Sequence, residues 1–509
     1  MAIMQDFNWN KLQNGSDIRG VAIEGVPNEN VNLTPEIAYI LGQSFAIWLS
    51  QKVNKSTNKL TIGVGRDSRL SGPTIMAAVI DGITAIGSHA NDFDLASTPA
   101  MFMSTITAGF ECDGAIMLTA SHLPFNRNGL KFFTATGGLE KQDISAILAL
   151  AATNKFVIAG SKGNVVKRDF MSVYADQFVD KIRSAVNHPT NFKQPLAGLK
   201  IIVDAGNGAG GFYVDRVLQP LGADTIGSQF LDPDGTFPNH VPNPEDPTAM
   251  AAICQAVIEH QADFGIIFDT DVDRSAAVDS TGKELNRNRL IGLISAIVLA
   301  KHPNSTIVTD SITSDGLTQF IKTELGGVHH RFKRGYKNVI NESVRLNQSG
   351  QESWVAIETS GHAAMKENHF LDDGAYLVSK LLIELAKSRL AGQRLTDLIA
   401  NLQEPVESKE LRIKINADDF QSVGNQVIAQ MQIFAASQPD WKIVPNNYEG
   451  VRVSCESDSE DGWFLLRLSL HDPVIPVNIE SNRLGGVDHI KARLLSFLKT
   501  QASLDLAGF

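Results

Sequence analysis

Short apolar runs that lead into polar loops recur along the chain, and each loop is followed by a helical pattern. Three such segments are TIGVGRDSR around Asp67, IIVDAGNGAGG around Asp204 and TIVTDSITSDG around Asp310. Apolar runs rich in β-branched residues and bounded by turn residues are typical of buried strands. Strands that alternate with helices predict α/β domains, so we expect three consecutive α/β domains of similar design.

Each of these domains contains a second apolar strand that also ends in polar residues. GAIMLTASH ends at Ser121 and His122, FGIIFDTDVDR ends in three carboxylates, and SWVAIETSGH ends at Glu358, Ser360 and His362. In open α/β sheets, ligands bind outside the carboxyl ends of the strands. We therefore expect the three loops to face one central cleft.

The C-terminal part of the chain has a different pattern. Strand-like segments ELRIKI, GVRVSC and WFLLRLSL surround an amphipathic stretch from Asp418 to Ala436, which predicts an α+β domain. Polar, proline-containing segments at 187–198, 301–305 and 403–409 are typical of domain boundaries. The fold class we predict is α/β, with three similar domains that have mixed sheets and a C-terminal α+β domain. The expected domains are 1–195, 196–302, 303–403 and 404–509.

The loop after the strand Phe264 to Phe268 carries Asp269, Asp271 and Asp273. Three carboxylates at alternate positions can wrap a small divalent cation, although a solvated acidic turn is the more ordinary structure for such a pattern. A calcium EF-hand is excluded, because Arg274 and Ser280 occupy the positions where it requires Gly and Glu.

Composition narrows the function classes. At 509 residues the chain is too long for a single core, and its net charge of −11 argues against nucleic acid or a membrane surface as a partner. Three widely spaced cysteines fit a reducing compartment. The N-terminal segment does not have the pattern of a signal peptide, and the longest apolar run, Leu290 to Ala300, is too short to span a bilayer. We expect a cytoplasmic protein.

The segment LTASHLPFNRNGLKFF places Ser121 at a strand end, before a turn rich in Pro, Asn and Gly. A serine in a turn is usually only structural. Opposite a metal loop, however, a serine oxygen suits phosphoryl transfer, where catalysis consists mainly of positioning and neutralisation of phosphate charge. His122 and Lys131 are the nearest candidates for carrying protons and stabilising charge.

These motifs carry a family resemblance. TASHLPFNRNGLK, DTDVDR and ETSGH, in that order, together with DIRG, GRDSR, DAGNGAG and FPNHVPNPED, resemble the α-D-phosphohexomutases, the phosphoglucomutase/phosphomannomutase superfamily. The resemblance covers essentially the whole chain. It implies a four-domain, heart-shaped isomerase of carbohydrate metabolism, an intramolecular phosphotransferase that carries a phosphoserine and binds magnesium.

The implied reaction interconverts the 1-phosphate and 6-phosphate of glucose, mannose or both through a hexose 1,6-bisphosphate, which also activates the enzyme. The implied substrates are small-molecule sugar phosphates, and we expect a monomer or a dimer. The implied catalytic residues are Ser121, His122, Lys131 and Arg19. The implied Mg²⁺ ligands are Ser121, Asp269, Asp271 and Asp273. The implied substrate-binding residues are Arg274, Gly335, Tyr336, Glu358, Ser360, His362, Arg467, Ser469 and His471.

The sequence departs from the family pattern at three places. Thr270 replaces a common Gly in the metal loop, and because a β-branched residue tolerates a positive φ poorly, we expect the backbone of this loop to differ locally from that of the family. Arg334 and Tyr336 flank Gly335 where the family has a smaller residue and often His. The final phosphate loop reads RLSLHDPVIP, so that Leu470, His471 and Pro476 replace a Gly, a Thr and a second Arg. This pattern predicts a weaker hold on the distal phosphate.

Two alternatives to a mutase stay open at this point. A weak hold on phosphate would favour a glucose 1,6-bisphosphate synthase that takes its phosphoryl group from another sugar bisphosphate. A catalytically silent, sugar-phosphate-binding regulatory homologue is the alternative of another class, and the intact Ser121 and three aspartates argue against it.

Overall fold

The computed structural model of the chain describes residues 7–469 and 472–509. It contains two compact units. The first runs to Asn286 and also includes Ser360–Leu395, and the second consists of Arg287–Thr359 and Thr396–Phe509. Leu470 and His471 lie outside the described residues, so the expectation for His471 is not addressed by the structure.

The N-terminal part of the first unit is built on a mixed sheet. Its described strands are β1 (Gln13–Asn14), β2 (Asp17–Val21), β3 (Thr61–Arg66), β4 (His89–Leu95), β5 (Gly114–Leu118), β6 (Arg127–Thr134), β7 (Gly137–Gly138) and β8 (Val165–Lys167). They follow the order β1-β2-β6-β5-β3-β4-β8, and β7 pairs with β6. Strands β5, β3, β4 and β8 are mutually parallel, whereas β6, β2 and β1 add antiparallel pairs.

Among the described residues, five helices accompany this sheet: α1 (Pro35–Lys52), α2 (Gly72–Ala85), α3 (Thr98–Met103), α4 (Lys141–Thr153) and α5 (Phe170–Val186). The apolar sides of α1, α2 and α4 share one buried core with the sheet, which includes Phe45, Ile62, Val79 and Phe132. The helix starts follow from capping residues, since Thr34 accepts the Ile37 amide and Asp169 accepts the Ser172 amide.

The next part of the first unit has a four-stranded mixed sheet. It consists of β9 (Ile201–Asp204), β10 (Phe264–Phe268), β11 (Ser275–Asp279) and β12 (Glu284–Leu285), with α6 (Pro247–Glu259). Strands β9 and β10 are parallel, and β11 and β12 continue the sheet in antiparallel fashion. The helix expected after β9 is only a π-helical turn, Val214–Leu218, because the glycine-rich segment before it forms tight turns and Pro220 follows it.

The second unit begins with α7 (Arg287–Lys301) and a parallel sheet. The sheet contains β13 (Thr306–Thr309), β14 (Val328–Arg331) and β15 (Ser353–Ile357), with β13 in the middle. Its helices are α8 (Asp315–Gln319), extended by a π-helical turn at Phe320–Glu324, and α9 (Tyr336–Gln348). The segment after Thr359 belongs to the first unit, where β16 (Ala363–Met365) and β17 (Leu371–Asp372) pair before α10 (Gly374–Leu390).

Where the structure describes it, the C-terminal part of the second unit is an antiparallel sheet covered by two helices. Its elements are β18 (Glu407–Ile415), α11 (Phe420–Ala436), β19 (Trp441–Ile443), β20 (Val451–Cys455), β21 (Gly462–Leu466), β22 (Val474–Ser481), α12 (Gly486–Leu498) and β23 (Leu504–Asp505). The strand order is β19-β20-β21-β22-β18-β23. The predicted fold class is therefore confirmed, with α/β domains on mixed sheets followed by a β-rich domain. Within the described residues, no helix combines the length and the apolar composition needed to cross a membrane.

Candidate active site

Ser121 lies in the turn that follows β5. Its φ angle is +52°, which is uncommon for a residue with a side chain, and its amide donates a hydrogen bond to Thr119 Oγ1 at 2.9 Å. A left-handed backbone costs about 1–3 kcal/mol at a non-glycine residue and persists only where the surroundings enforce it. The structure therefore places Ser121 in an imposed conformation at a strand end.

Arg69 is the residue that enforces this turn. Its buried guanidinium donates to the carbonyl oxygens of Leu123 at 2.6 Å, Pro124 at 2.8 Å and Arg127 at 2.9 Å, and also to that of Ser121. Asp67 Oδ2 lies 3.3 Å from Arg69 Nε and offsets its charge. One side chain thus holds four carbonyl groups of the segment 121–127, which we call the serine loop.

The three aspartates of the loop after β10 come together as predicted. Asp269, Asp271 and Asp273 are buried, and one carboxylate oxygen from each lies within 4.8 Å of the others. Lys131 Nζ is 3.0 Å from Asp271 Oδ2 and 2.5 Å from Asp273 Oδ2, and the Thr98 hydroxyl donates to Asp271.

The residues fit a divalent cation. Oδ1 of Asp271 and Oδ1 of Asp273 are buried, and no described residue donates a hydrogen bond to them. A buried carboxylate oxygen without a donor is costly, and a hard cation is the partner that an all-oxygen set favours.

The carboxylates differ in their electrostatic environments. Burial, together with the charges of Asp273 and Asp271, raises the pKa of Asp269 well above its usual value. Burial alone would also raise the pKa of Asp273, but the charges of Lys131 and Arg274 outweigh it and lower that pKa. The positive charges around Asp273 keep it ionised. At Asp269, the charge of Arg274 does not offset burial and the neighbouring carboxylates, so an additional cation would stabilise its ionised form.

Arg274 connects the serine loop to the metal loop. It is 2% exposed, and its guanidinium lies 3.0 Å from Ser121 Oγ and 3.1 Å from Asp269 Oδ2. It also donates to Asn243 Oδ1 at 2.9 Å. Ser121 Oγ itself lies 3.2 Å from Asp269 Oδ2, so the hydroxyl has both a cationic and an anionic neighbour.

The expected backbone irregularity of the metal loop falls on a different residue. Thr270 is absent from the left-handed residues, and Val272, with φ +64°, is the residue that takes that conformation. Thr270 instead packs against the glycine-rich loop after β9, where a Cβ on Gly208 would lie 2.7 Å from the Thr270 carbonyl oxygen. The Ala209 amide donates to that same oxygen at 2.8 Å, so the two loops fix each other.

His122 and Arg19 lie beside Ser121. His122 Nδ1 is 3.3 Å from Ser121 Oγ and 2.8 Å from an Arg274 nitrogen. Burial of the ring and the charges of Arg274 and Arg19 lower the pKa of His122 to about 4. Because arginine only donates, Nδ1 accepts, which agrees with a neutral imidazole. Arg19 pairs with Asp17 at 3.1 Å and donates to the Ala120 carbonyl at 3.4 Å.

Ser360 and His362 belong to the same unit and lie beside the metal loop. Ser360 Oγ is 2.9 Å from His362 Nδ1, and His362 Nε2 is 3.9 Å from Asp273 Oδ1. Burial is the main cause that lowers the pKa of His362 to about 3.

The first unit also contains a buried ion pair that supports Arg274. His240 Nε2 lies 3.0 Å from Asp204 Oδ2, and His240 Nδ1 is 2.9 Å from the Val241 carbonyl. Burial alone would lower the pKa of His240, but its hydrogen bond to Asp204 and the charge of that residue raise it. His240 therefore anchors the PNHVPNPED segment, from which Asn243 contacts Arg274.

The remaining predicted residues lie in the second unit. Gly335, with φ +116°, precedes α9, which starts at Tyr336, and its amide donates to Glu358 Oε1 at 2.6 Å. Arg467 is 9% exposed and lies 3.8 Å from Glu449 Oε1. The Ser469 hydroxyl accepts the Asp472 amide at 3.2 Å.

The structure thus brings Ser121, His122, Arg19 and Lys131 together with the three aspartates, Arg274, Ser360 and His362. Glu358 groups with Gly335 in the second unit. Sequence reasoning missed the roles of Arg69, Thr98, Asn243 and Glu449. For Arg69 and Asn243 the only signal was their presence in the GRDSR and FPNHVPNPED motifs.

Comparison with known proteins identifies relatives over nearly the whole chain. Family models described as phosphoglucomutase/phosphomannomutase, alpha/beta/alpha domains I, II and III, match residues 10–157, 176–282 and 286–406. The chain is 31% identical to a phosphomannomutase/phosphoglucomutase of Pseudomonas putida, over 93% of this chain and 92% of that protein. It is 29% identical to a phosphoglucomutase of Neisseria meningitidis, over 96% of each.

Solved structures show the same fold. The crystal structure of a phosphoglucomutase/phosphomannomutase family protein from Burkholderia thailandensis matches with a TM-score of 0.76 and 26% identity, over 97% of this chain and 98% of that one. A putative phosphomannomutase from Thermus thermophilus matches with a TM-score of 0.70 at 18% identity, over 96% and 99% of the two chains, and supports the fold alone.

Proposed function

The chain belongs to the phosphoglucomutase/phosphomannomutase family and is a phosphohexomutase, and we propose that it transfers the phosphoryl group through a phosphoserine at Ser121. The observation that carries this proposal is the placement of the Ser121 hydroxyl, 3.2 Å from Asp269 Oδ2 and 3.0 Å from Arg274. A serine oxygen between a cluster of carboxylates and a buried guanidinium suits phosphoryl transfer. The relatives favour neither the bisphosphate synthase nor the silent homologue.

We propose Mg²⁺ as the metal, because the available ligands are all oxygens. Asp269, Asp271 and Asp273 would hold it, together with an oxygen of the phosphoserine. When bound, the ion supplies Lewis-acid neutralisation of phosphate charge.

In the proposed reaction, a hydroxyl of the sugar monophosphate attacks the phosphorus of phosphorylated Ser121. The bond from phosphorus to the serine oxygen breaks as the bond to the sugar oxygen forms, which gives a hexose 1,6-bisphosphate. The neutral imidazole of His122, whose Nδ1 lies 3.3 Å from Ser121 Oγ, takes the hydroxyl proton and passes it to the serine oxygen as that oxygen leaves phosphorus. A weak base suffices where the transition state is loose. Lys131 and Arg274 offset the charge of the phosphoryl group.

In the second half of the proposed reaction, the bisphosphate presents its other phosphate to Ser121. The serine oxygen attacks that phosphate and gives its proton to His122, the bond from phosphorus to the sugar oxygen breaks, and His122 gives the proton to the freed sugar oxygen. The enzyme therefore has to accept the sugar in two orientations, and we propose that Glu358 and Ser360 bind hydroxyls that glucose and mannose share. Arg467 is the residue we propose for the phosphate that is not reacting, since a guanidinium can hold phosphate through two donors.

We propose a cytoplasmic location, on the basis of three widely spaced cysteines. The oligomeric state, monomer or dimer, stays a prediction.

The test is turnover of glucose 1-phosphate, mannose 1-phosphate and N-acetylglucosamine 1-phosphate, with and without added glucose 1,6-bisphosphate. Ser121→Ala should lose nearly all turnover, whereas Ser161→Ala, which removes an exposed hydroxyl of the same domain, should keep it. We expect activity on the first two sugars. Substantial activity of Ser121→Ala would refute the proposed nucleophile.

A further inference from the structure

We infer that the carboxylate of Glu449 is an anion that belongs to the distal-phosphate site, by which we mean the site around Arg467 that would hold the phosphate that is not reacting. The phosphate of the substrate would compete for Arg467 with Glu449. This residue would set the affinity for the bisphosphate and therefore the rate at which the intermediate escapes. The inference rests on the proposed function, because it assumes that Arg467 binds the phosphate that is not reacting.

The contacts of Glu449 are those of an anion-binding site. Its Oε2 accepts a hydrogen bond from the Ser311 hydroxyl at 2.5 Å and another from the Arg334 amide at 3.1 Å. Its Oε1 lies 3.8 Å from Arg467 NH1. A hydroxyl, a backbone amide and a guanidinium are the donors that proteins use for phosphate oxygens. Glu449 precedes β20, so one carboxylate joins Arg467 to the loops after β13 and β14.

Arg467 has hydrogen-bonding capacity left for a stronger anion. The residue is 9% exposed, its Nε has no acceptor among the described residues, and its separation from Glu449 exceeds hydrogen-bond length. Burial lowers the pKa of Arg467, Glu449 acts against that shift, and the charge of Arg334 adds to it. The buried guanidinium is therefore only partly satisfied by the carboxylate.

The local charges explain why phosphate should be held weakly. Arg334 Nε lies 3.9 Å from Asp310 Oδ2, so two arginines face two carboxylates, Asp310 and Glu449. A phosphate dianion that binds here enters a site whose net charge is already close to zero, and it lies near the negative charge of Glu449. Pro476 stands on the strand beside Arg467, at the position where the family has a second arginine, and it offers no donor. Removal of the Glu449 charge should leave an excess positive charge and tighten phosphate binding.

The experiment measures binding of glucose 1,6-bisphosphate by calorimetry in the Ser121→Ala background, where no phosphoryl transfer can occur. Addition of Glu449→Gln should lower Kd roughly threefold to tenfold, since an amide keeps an oxygen acceptor for Ser311 and removes only the charge. Glu456→Gln is the matched control, because Glu456 pairs with Lys442 at 2.5 Å on the surface of the same domain. That control should leave Kd unchanged.

Two further variants keep the inference falsifiable. Glu449→Asp, which retains the charge, should not tighten binding, and addition of Arg467→Ala should remove the gain from Glu449→Gln. If Glu449→Gln leaves Kd unchanged or raises it, Glu449 is a structural link between loops and the inference is overturned while the proposed function stands. If the Ser121→Ala protein binds no bisphosphate at all, the proposed function fails and the inference fails with it.

Discussion

Replacement of Arg69 tests whether one buried side chain positions Ser121, the proposed nucleophile. Arg69→Met removes the donor to four carbonyl groups of the serine loop and leaves the Asp67 carboxylate buried without its partner. Burial already raises the pKa of Asp67 to about 6, against the effect of Arg69, so the carboxylate depends on that cation.

The magnitude follows from the loss of the charge partner. Removal of one member of a buried ion pair costs about 3–5 kcal/mol, because the other charge stays uncompensated. For a unit of this size the shift in Tm is roughly 4–7 °C. The double variant Asp67→Asn/Arg69→Met removes both charges, so a large part of the lost stability should return.

Activity should not return with stability. Without Arg69, no single side chain donates hydrogen bonds to all four carbonyl groups of the serine loop, so Ser121 can shift. Displacement of a reacting group by about 1 Å can lower the rate by a factor of roughly a hundred. We therefore expect the double variant to have a Tm nearer to that of the wild type and kcat at least roughly a hundredfold lower.

The assays are thermal unfolding and steady-state turnover of glucose 1-phosphate. Arg127→Met is the control, since Arg127 lies on the same loop but its side chain pairs with Glu29 at 2.5 Å and is 34% exposed. A partly exposed ion pair contributes about 1 kcal/mol or less, so this variant should stay close to the wild type. Wild-type kcat in the double variant would show that Arg69 stabilises the fold without positioning Ser121.

The metal loop, Arg467, His122 and the pair of His240 with Asp204 can each be tested by a further measurement. A chelator should abolish turnover, and added Mg²⁺ should restore it; full activity in excess chelator would contradict the metal assignment. Asp271→Asn should weaken metal binding, measured by Mn²⁺ calorimetry, roughly tenfold or more. Arg467→Ala should lower kcat/KM roughly tenfold to a hundredfold. Arg483→Ala, which changes an exposed arginine, is the control. An unchanged kcat/KM in Arg467→Ala would exclude a contact between Arg467 and the phosphate. His122→Gln should lower kcat roughly a hundredfold with little change in KM, and a kcat equal to that of the wild type would exclude proton transfer through His122. Because the pKa of His240 is raised above 6.5, its pair with Asp204 stabilises the fold fully below pH 6.5. This stabilisation decreases as the pH rises through the raised pKa. Measurements of Tm against pH should show the decrease in the wild type and not in His240→Gln.

The fold and the centre of the site were accessible from the sequence because their signals are local. The run Phe264 to Phe268 forms a buried strand, and the spacing of Asp269, Asp271 and Asp273 puts their oxygens in one cluster. Ser121 was identified for the same reason, as a polar residue directly after a buried strand.

The supporting residues were not accessible in the same way. The acceptors of Arg69 are backbone carbonyls of a loop about fifty residues away in sequence, and backbone carbonyls leave no signature in the residue pattern. The contact between Glu449 and the Arg334 amide is equally non-local. Thr270 was expected to disturb the metal loop, but the left-handed conformation falls on Val272, because the packing of Thr270 against Gly208 fixes its backbone.

Transfer of a phosphoryl group from Ser121 to the sugar can be followed in a single turnover with a labelled phosphate. Protein primed with glucose 1,6-bisphosphate whose phosphates carry ¹⁸O, and freed of excess ligand, is mixed with unlabelled glucose 1-phosphate and Mg²⁺ and quenched at intervals, and the masses of the Ser121 peptide and of the sugar phosphates are measured. We expect the labelled phosphate to start on the Ser121 peptide and to pass through the bisphosphate to glucose 6-phosphate, while an unlabelled phosphate replaces it on Ser121. Formation of glucose 6-phosphate while the label stays on the protein, or a labelled phosphate on another residue, would show that Ser121 does not transfer its phosphate to the sugar.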